Sequence, residues 1–186
     1  MAALTMPKVD GETEQEYIAR IVRDSKEQGY KAAEEGTRIH GAIEQHYLTG
    51  THPSEFDAHV MATVTAVEER FGKQEWIAEK SFATALYGGK VDLHSPEIVI
   101  DFKTKEFTED DLPKSYDENI IQLAAYRKGL EIPYTFPSAK CANVFISRNV
   151  PGLVHIVEHD EEDIRRGEKM FNSLLSLWMN LKRFNK

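Results

Sequence analysis

An α/β fold with a central mixed β-sheet flanked by helices, and further helices at the N-terminus, is predicted by three observations. Apolar residues recur at helical spacing over the first 73 residues; the period changes to two between Trp76 and Lys105; and a helical stretch then separates this meander from two more strands and a closing amphipathic helix. The 186 residues, 41% of them hydrophobic, suffice for one compact domain with a substantial core. The expected organisation is a single domain over 1–186, with a helical part over 1–73, a sheet core carrying one helix over 74–158 and a C-terminal helix over 159–186.

Tyr17, Ile18, Ile21 and Val22 form a short apolar helical face, and Ala32, Gly36, Ile39, Ile43 and Tyr47 form a second between Lys31 and Leu48. Ser54 has the chemistry of an N-cap for a helix that aligns Phe56, Val60, Val64, Val67 and Phe71, and Gly72 is its expected stop. Strands are expected over Trp76–Tyr87, Lys90–His94 and Ile98–Lys105, with turns at Gly88-Gly89 and at Ser95-Pro96-Glu97. The run Phe107–Tyr116 reads as an exposed loop bordering a site. A helix follows over Asp117–Leu130, closed by Gly129 and the nearby Pro133. Strands Ala142–Ser147 and Leu153–Val157 come next. The last helix, Asp160 to about Phe184, aligns Ile164, Gly167, Phe171, Leu174, Trp178 and Leu181.

Several classes are excluded or disfavoured. No run approaches the ~18 apolar residues of a membrane span, and Met1–Glu16 is too polar for a secretory signal, so a soluble protein of the cell interior, in the cytoplasm, is expected. A single cysteine, Cys141, rules out an internal disulfide and any four-cysteine zinc or iron–sulfur site built from this chain alone, and its apolar surroundings predict a core position. The net charge of −8 argues against a nucleic-acid binder, because phosphate affinity comes from lysine and arginine. A metal-dependent nuclease is the exception: its centre is acidic, bound cations reverse the local charge, and a small basic rim holds the strand.

Chemistry concentrates in the second hairpin. Along Ile98–Lys103 side chains alternate, so Ile98, Ile100 and Phe102 face one way while Asp101 and Lys103 face the other. A four-residue turn from Ser95 to Ile98, with Pro96 second, pairs His94 with Val99 and Asp92 with Asp101. Directly opposed residues have Cβ atoms roughly 5 Å apart, so the carboxylates would repel unless a divalent cation lay between them. Carboxylate oxygens suit Mg²⁺ or Mn²⁺, which hold a phosphate and acidify water. Lys103 is placed to stabilise the charge that grows on phosphorus. The aspartate-x-lysine spacing is weak by itself, since Asp24-Ser25-Lys26 shares it on a helical stretch, and a solvated salt-bridged strand face is the plain alternative.

Two helical pairs extend the set. His40 and Glu44 are four residues apart on one face, where an imidazole biases a metal site toward Mn²⁺, or where the two simply bond each other at the surface. Gln122 and Tyr126 have the same spacing and offer hydrogen bonds to a phosphate or a lysine, with ordinary helix polarity as the alternative. Glu79, on the strand before the hairpin, is a third candidate carboxylate, with a structural role the plainer reading by itself.

In order along the chain, His40, the GKVD run ending at Asp92, the DFK run from Asp101 to Lys103, and the pair Gln122 and Tyr126 together resemble the PD-(D/E)xK nuclease superfamily, and within it the RecB-like exonuclease group. The match spans Gly36 to Leu130. The resemblance implies a restriction-endonuclease-like core, a Mg²⁺ or Mn²⁺ ion held by His40, Asp92, Asp101 and the backbone carbonyl of Phe102, with Glu44 as a further ligand candidate, and catalysis by Asp92, Asp101 and Lys103. It gives Gln122 and Tyr126 the positioning of the lysine or the DNA. Some relatives carry a four-cysteine iron–sulfur cluster, which this chain cannot build, so it is more similar to the compact cluster-free single-strand exonucleases of phages and mitochondrial genome maintenance. Arg38, Lys105 and Arg127, with Lys31, Lys114, Lys128 and Arg148, are candidate phosphate contacts, with plain solvation the alternative for each; Tyr87, Phe107 and Tyr116 are candidate stacking faces, with core packing the alternative. The implied activity is hydrolysis of DNA at or near single-stranded ends. Competing readings are a nuclease-fold module that binds without turnover, and an endonuclease acting on duplex DNA or RNA.

Overall fold

The computed structural model describes residues 7–130 and 139–182; the Pro133 and Phe184 signals lie outside them. Contacts within the chain group into two units, 1–38 and 39–186.

In the first unit, Thr13 opens helix α1 (Glu14–Thr49) with a capping box. Glu16 Oε2 accepts the Thr13 N–H at 2.9 Å and Thr13 Oγ1 accepts the Glu16 N–H at 3.3 Å, satisfying donors that a helix start leaves orphaned. Arg20 binds Glu12 through both Nε and Nη2, which holds the Glu12 carboxyl down at about 2. The two helical faces expected from the sequence are one 36-residue helix. Between them, Arg23–Tyr30 has no apolar period, but it is rich in good helix formers, and Glu27 pairs with Lys31 at 2.7 Å, four residues on.

The second unit takes α1 from Ile39 onward. A 3₁₀ turn, Ser54–Phe56, leads into α2 (Asp57–Phe71), so Ser54 is the first residue of that turn and does not cap the helix. Gly72 does end it, at φ 78°, with its N–H on Glu68 O. The sheet order is β1 (Ile77–Ala83), β2 (Gly88–His94), β3 (Ile98–Lys105), β4 (Lys140–Ser147), β5 (Val154–His159). All neighbours are antiparallel except β3 and β4. Parallel neighbours need a crossover, and α3 (Asp117–Gly129) lies within it. The last helix is α4 (Glu161–Lys182). The mixed sheet and flanking helices are therefore the expected α/β architecture. The turn between β1 and β2 differs from expectation: it is Thr84–Tyr87, closed by Thr84 N–H to Tyr87 O at 2.8 Å, and Gly88 and Gly89 belong to β2. Gly89 serves packing instead, since a Cβ there would lie 3.0 Å from the Tyr126 ring.

The period of two in β3 and β4 produces two cores. Leu93, Ile98, Ile100, Phe102, Ala142, Val144 and Ile146 meet Ile39, Ile43, Val60 and Val67 from α1 and α2. Val91, Val99 and Cys141 meet Ile120, Leu123 and Ala124 of α3 and Ile164 of α4. Cys141 is fully buried, and burial pushes its thiol up to about 12. Gly167 lets α3 and α4 approach, for a Cβ there would stand 2.7 Å from the Ile120 carbonyl oxygen. Among the described residues no helix is long and apolar enough to cross a membrane.

Candidate active site

The site forms where β2 and β3 part. Ser95 N–H bonds Ile98 O at 2.9 Å, closing the four-residue turn, and the pairs His94–Val99 and Leu93–Ile100 have the expected register. That register sets Asp92 across from Asp101, but the ladder stops at Leu93. The Phe102 N–H turns instead to Asp92 Oδ2, at 2.8 Å.

A matching gap occurs on the other edge of β2. Ala78 pairs with Leu93 and Lys80 with Val91, while Glu79 between them is unpaired at φ 55°. A left-handed conformation costs a non-glycine residue roughly 1–2 kcal/mol, and such strain clusters at functional positions. With both gaps, Asp92 is outside the ladder on both sides, and the Glu79 side chain is 8% exposed. His40 Nε2 lies 3.2 Å from Asp92 Oδ2. His40, Glu44 and Glu79 each offer a ligand atom, all within 4.8 Å of one another, and Lys90 pairs with Glu79. Among the described residues His40, Glu44 and Glu79 thus form a trio of candidate donors, with Asp92 joined through His40. Glu79 has a larger place in the site than sequence spacing gave it, because its backbone conformation is not encoded in a period of two.

Asp101 is 1% exposed. Lys103 Nζ donates to its Oδ1 at 2.8 Å and lies 2.7 Å from its Oδ2, and Asn143 Nδ2 donates to Oδ2 at 2.8 Å. Lys103 Nζ also donates to Gln122 Oε1 at 2.9 Å, and Gln122 Nε2 donates to Tyr126 OH at 2.7 Å. The expected helix-borne pair therefore orients the lysine by a chain of hydrogen bonds from α3 to β3. Burial pushes Asp101 up to about 6, with the nearby Asp92 charge adding to the rise and Lys103 opposing it. The Asp92 bond raises His40 above its ordinary value, with Glu79 and Asp101 adding to the rise.

The acidic donors create a field that attracts cations, and an imidazole beside carboxylates fits a divalent ion with some nitrogen affinity. His40, Glu44, Glu79 and Asp92 are the residues placed to hold one, with Asp101 alongside. Phe102 is fixed by its N–H on Asp92, and its ring is 5% exposed in the core.

The candidate DNA contacts divide. Arg38 is exposed on α1, in the first unit. Lys105 Nζ sits 5.2 Å from the centroid of the Tyr116 ring, which is 56% exposed. Arg127 is a correction: it is 3% exposed, with Nη1 on Ala139 O at 3.2 Å and on Glu161 at 2.8 Å, so it ties α3 to α4. A basic residue in the last turn of a helix gives no sequence sign of facing inward. Lys128 pairs with Glu168 and Arg148 with Glu106. Tyr87 donates to Ala125 O and packs on Phe171, and Phe107 is buried, which leaves Tyr116 as the exposed one of the three aromatics. Asn143, Ser115 and His159 were not anticipated; the signal was one amide inside the apolar run Cys141–Ile146.

No protein-family model matches this chain, and no curated protein shows significant similarity to it. Function is therefore argued from the site.

The buried carboxylate predicts a pH effect on the metal-free protein. Asp101 rises from 3.8 to about 6 on folding, so the folded state holds a proton that the unfolded chain releases. Its favourable contribution is complete below 3.8 and is lost as pH rises through about 6. In chelator, thermal unfolding from pH 4 to 8 is expected to show wild type losing stability relative to Asp101→Asn over that window; parallel profiles would contradict the assignment.

Proposed function

We propose that this chain is a Mg²⁺- or Mn²⁺-dependent DNA exonuclease that hydrolyses phosphodiester bonds, preferentially at single-stranded ends. The observation that carries the reading is the Lys103 ammonium, held between Asp101 and Gln122 beside a group of imidazole and carboxylate donors. When bound, a divalent cation supplies Lewis acidity toward a phosphate oxygen and lowers the pKa of water. His40, Glu44, Glu79 and Asp92 would hold it, with Asp101 alongside. Lys103 stabilises the negative charge that develops on the phosphoryl oxygens, and its side chain, 27% exposed, is open to substrate. Gln122 and Tyr126 keep that ammonium in place, so little reorganisation accompanies the reaction.

The preference for single strands rests on the exposed Tyr116 ring, a sequence-tolerant stacking face, with Lys105 beside it for a phosphate. The same reading places the protein inside the cell, in the cytoplasm, where DNA is accessible.

The test is a digestion panel with Mn²⁺ or EDTA, using single strands blocked at either end, a single-stranded circle, duplex DNA and RNA. Mn²⁺-dependent shortening from a free single-stranded end is expected, with the circle intact. Cutting of the circle would make the enzyme an endonuclease, and inertness toward every substrate would overturn the nuclease reading. His40→Ala and Glu79→Ala are expected to weaken Mn²⁺ binding in calorimetry; an unchanged affinity removes that residue from the ligand set.

A further inference from the structure

Asn143 is fully buried in the middle of β4, where its neighbours Ala142 and Val144 are core residues. An amide there is costly unless its donors and acceptors are used. The parallel register sets it beside Asp101, and Nδ2 donates to Asp101 Oδ2 at 2.8 Å. Its Oδ1 accepts from Ser115 Oγ at 2.9 Å and from His159 Nε2 at 2.8 Å. The acceptor-only Asp101 oxygen fixes which way the amide points, because a flipped amide would set its carbonyl oxygen against the carboxylate; Ser115 Oγ and His159 Nε2 then hold Oδ1 as donors. Asn119 Nδ2, on α3, reaches Ser115 Oγ at 3.4 Å. A circuit is thereby closed: α3 is bonded to Asp101 once through Ser115 and Asn143, and once through Gln122 and Lys103.

Counting lone pairs gives this circuit a consequence. A carboxylate offers about four acceptor directions. Lys103 donates to Oδ1 and also stands 2.7 Å from Oδ2, where Asn143 donates as well, so Oδ2 is the more crowded oxygen and Oδ1 the more open one.

We propose that Asn143 is the positioning residue of the metal centre: by occupying Oδ2 it locks the Asp101 carboxylate so that Oδ1 is the oxygen presented to a divalent cation, and Ser115 and His159 act through it by fixing its amide. The proposal rests on the metal-dependent reading above and deepens it. Partners of ligating carboxylates orient the ligand, and losing one typically costs about 10–100-fold in metal affinity.

The test is calorimetric titration of Mn²⁺ into protein without DNA, so that it does not depend on turnover. Asn143→Leu, close in volume, is expected to raise the dissociation constant about 10–100-fold. Ser115→Ala, a mild loop change, should raise it about 2–10-fold, the size of one hydrogen bond. His159→Ala should weaken binding in the wild-type background and add nothing in the Asn143→Leu background, because groups acting through one partner are non-additive. A purely structural role predicts lower melting temperatures with Mn²⁺ affinity unmoved, and that result overturns the proposal even if Asn143→Leu fails to fold, since Ser115→Ala reports the same quantity. Wild type that binds no Mn²⁺ defeats the metal reading itself; wild type and variants that bind equally well defeat only the role of Asn143.

Discussion

Lys103→Ala and Asp101→Asn are each expected to lower the rate of DNA cleavage by about 10²–10⁴-fold, the range typical of removing a positioned charge or proton-transfer group. The loss should fall on kcat, with KM for DNA little changed, because Lys103 is tied to the reacting centre by Asp101 and Gln122 and acts on charge that exists only in the transition state. Stability should behave differently from activity. Burial holds Asp101 up at about 6, so the ionised carboxylate is a burden on the folded protein, and the neutral isostere should melt at or above the wild-type temperature at pH 8 in chelator. A variant that cleaves normally, or Asp101→Asn that is inactive only because it unfolds, would remove these residues from the mechanism. Gln122→Ala should produce a smaller loss of kcat, since it frees the lysine without removing it.

Arg127→Ala is expected to cost about 2–3 kcal/mol of stability, toward the low end for a broken buried ion pair because Glu161 is partly solvated. For a chain of this size that is a fall of about 5–10 °C in melting temperature. Arg127 Nη1 holds both the Ala139 carbonyl and Glu161, and Glu161 also accepts from Nη2, so truncation leaves a buried acceptor and loosens α4 from α3. Arg127→Met, which keeps most of the volume, should lose less. DNA affinity measured by anisotropy should be unchanged in the Met variant; a drop in affinity at constant melting temperature would mean that the arginine reaches the strand after all.

The two outcomes mark what the sequence reveals. Alternation in β3 placed Ile98, Ile100 and Phe102 in one core and Asp101 and Lys103 opposite, because strand periodicity is local and strict. Helical spacing likewise set Gln122 and Tyr126 on one face, since residues four apart are neighbours, while their approach to Lys103 was implied only by the family resemblance. The geometry around Asp92 was less legible. Its register followed from the turn, yet the positive φ at Glu79 and the bond from Phe102 to Asp92 break the ladder on either side, and nothing in composition announces a left-handed glutamate. Asn143 left one sign, an amide inside an apolar run, but its place beside Asp101 and its bond from His159 come from pairings across three strands, which chain spacing does not specify. Arg127 went wrong through solvent exposure, which depends on where α4 packs.

Manganese anomalous scattering from a crystal soaked in Mn²⁺ is the measurement that reaches the central claim. A peak bounded by His40, Glu44, Glu79 and Asp92, with Asp101 and Lys103 next to it and the signal abolished in Asp92→Ala, is the predicted result. A soaked crystal without density there, its carboxylates engaged only with protein groups, would contradict the account.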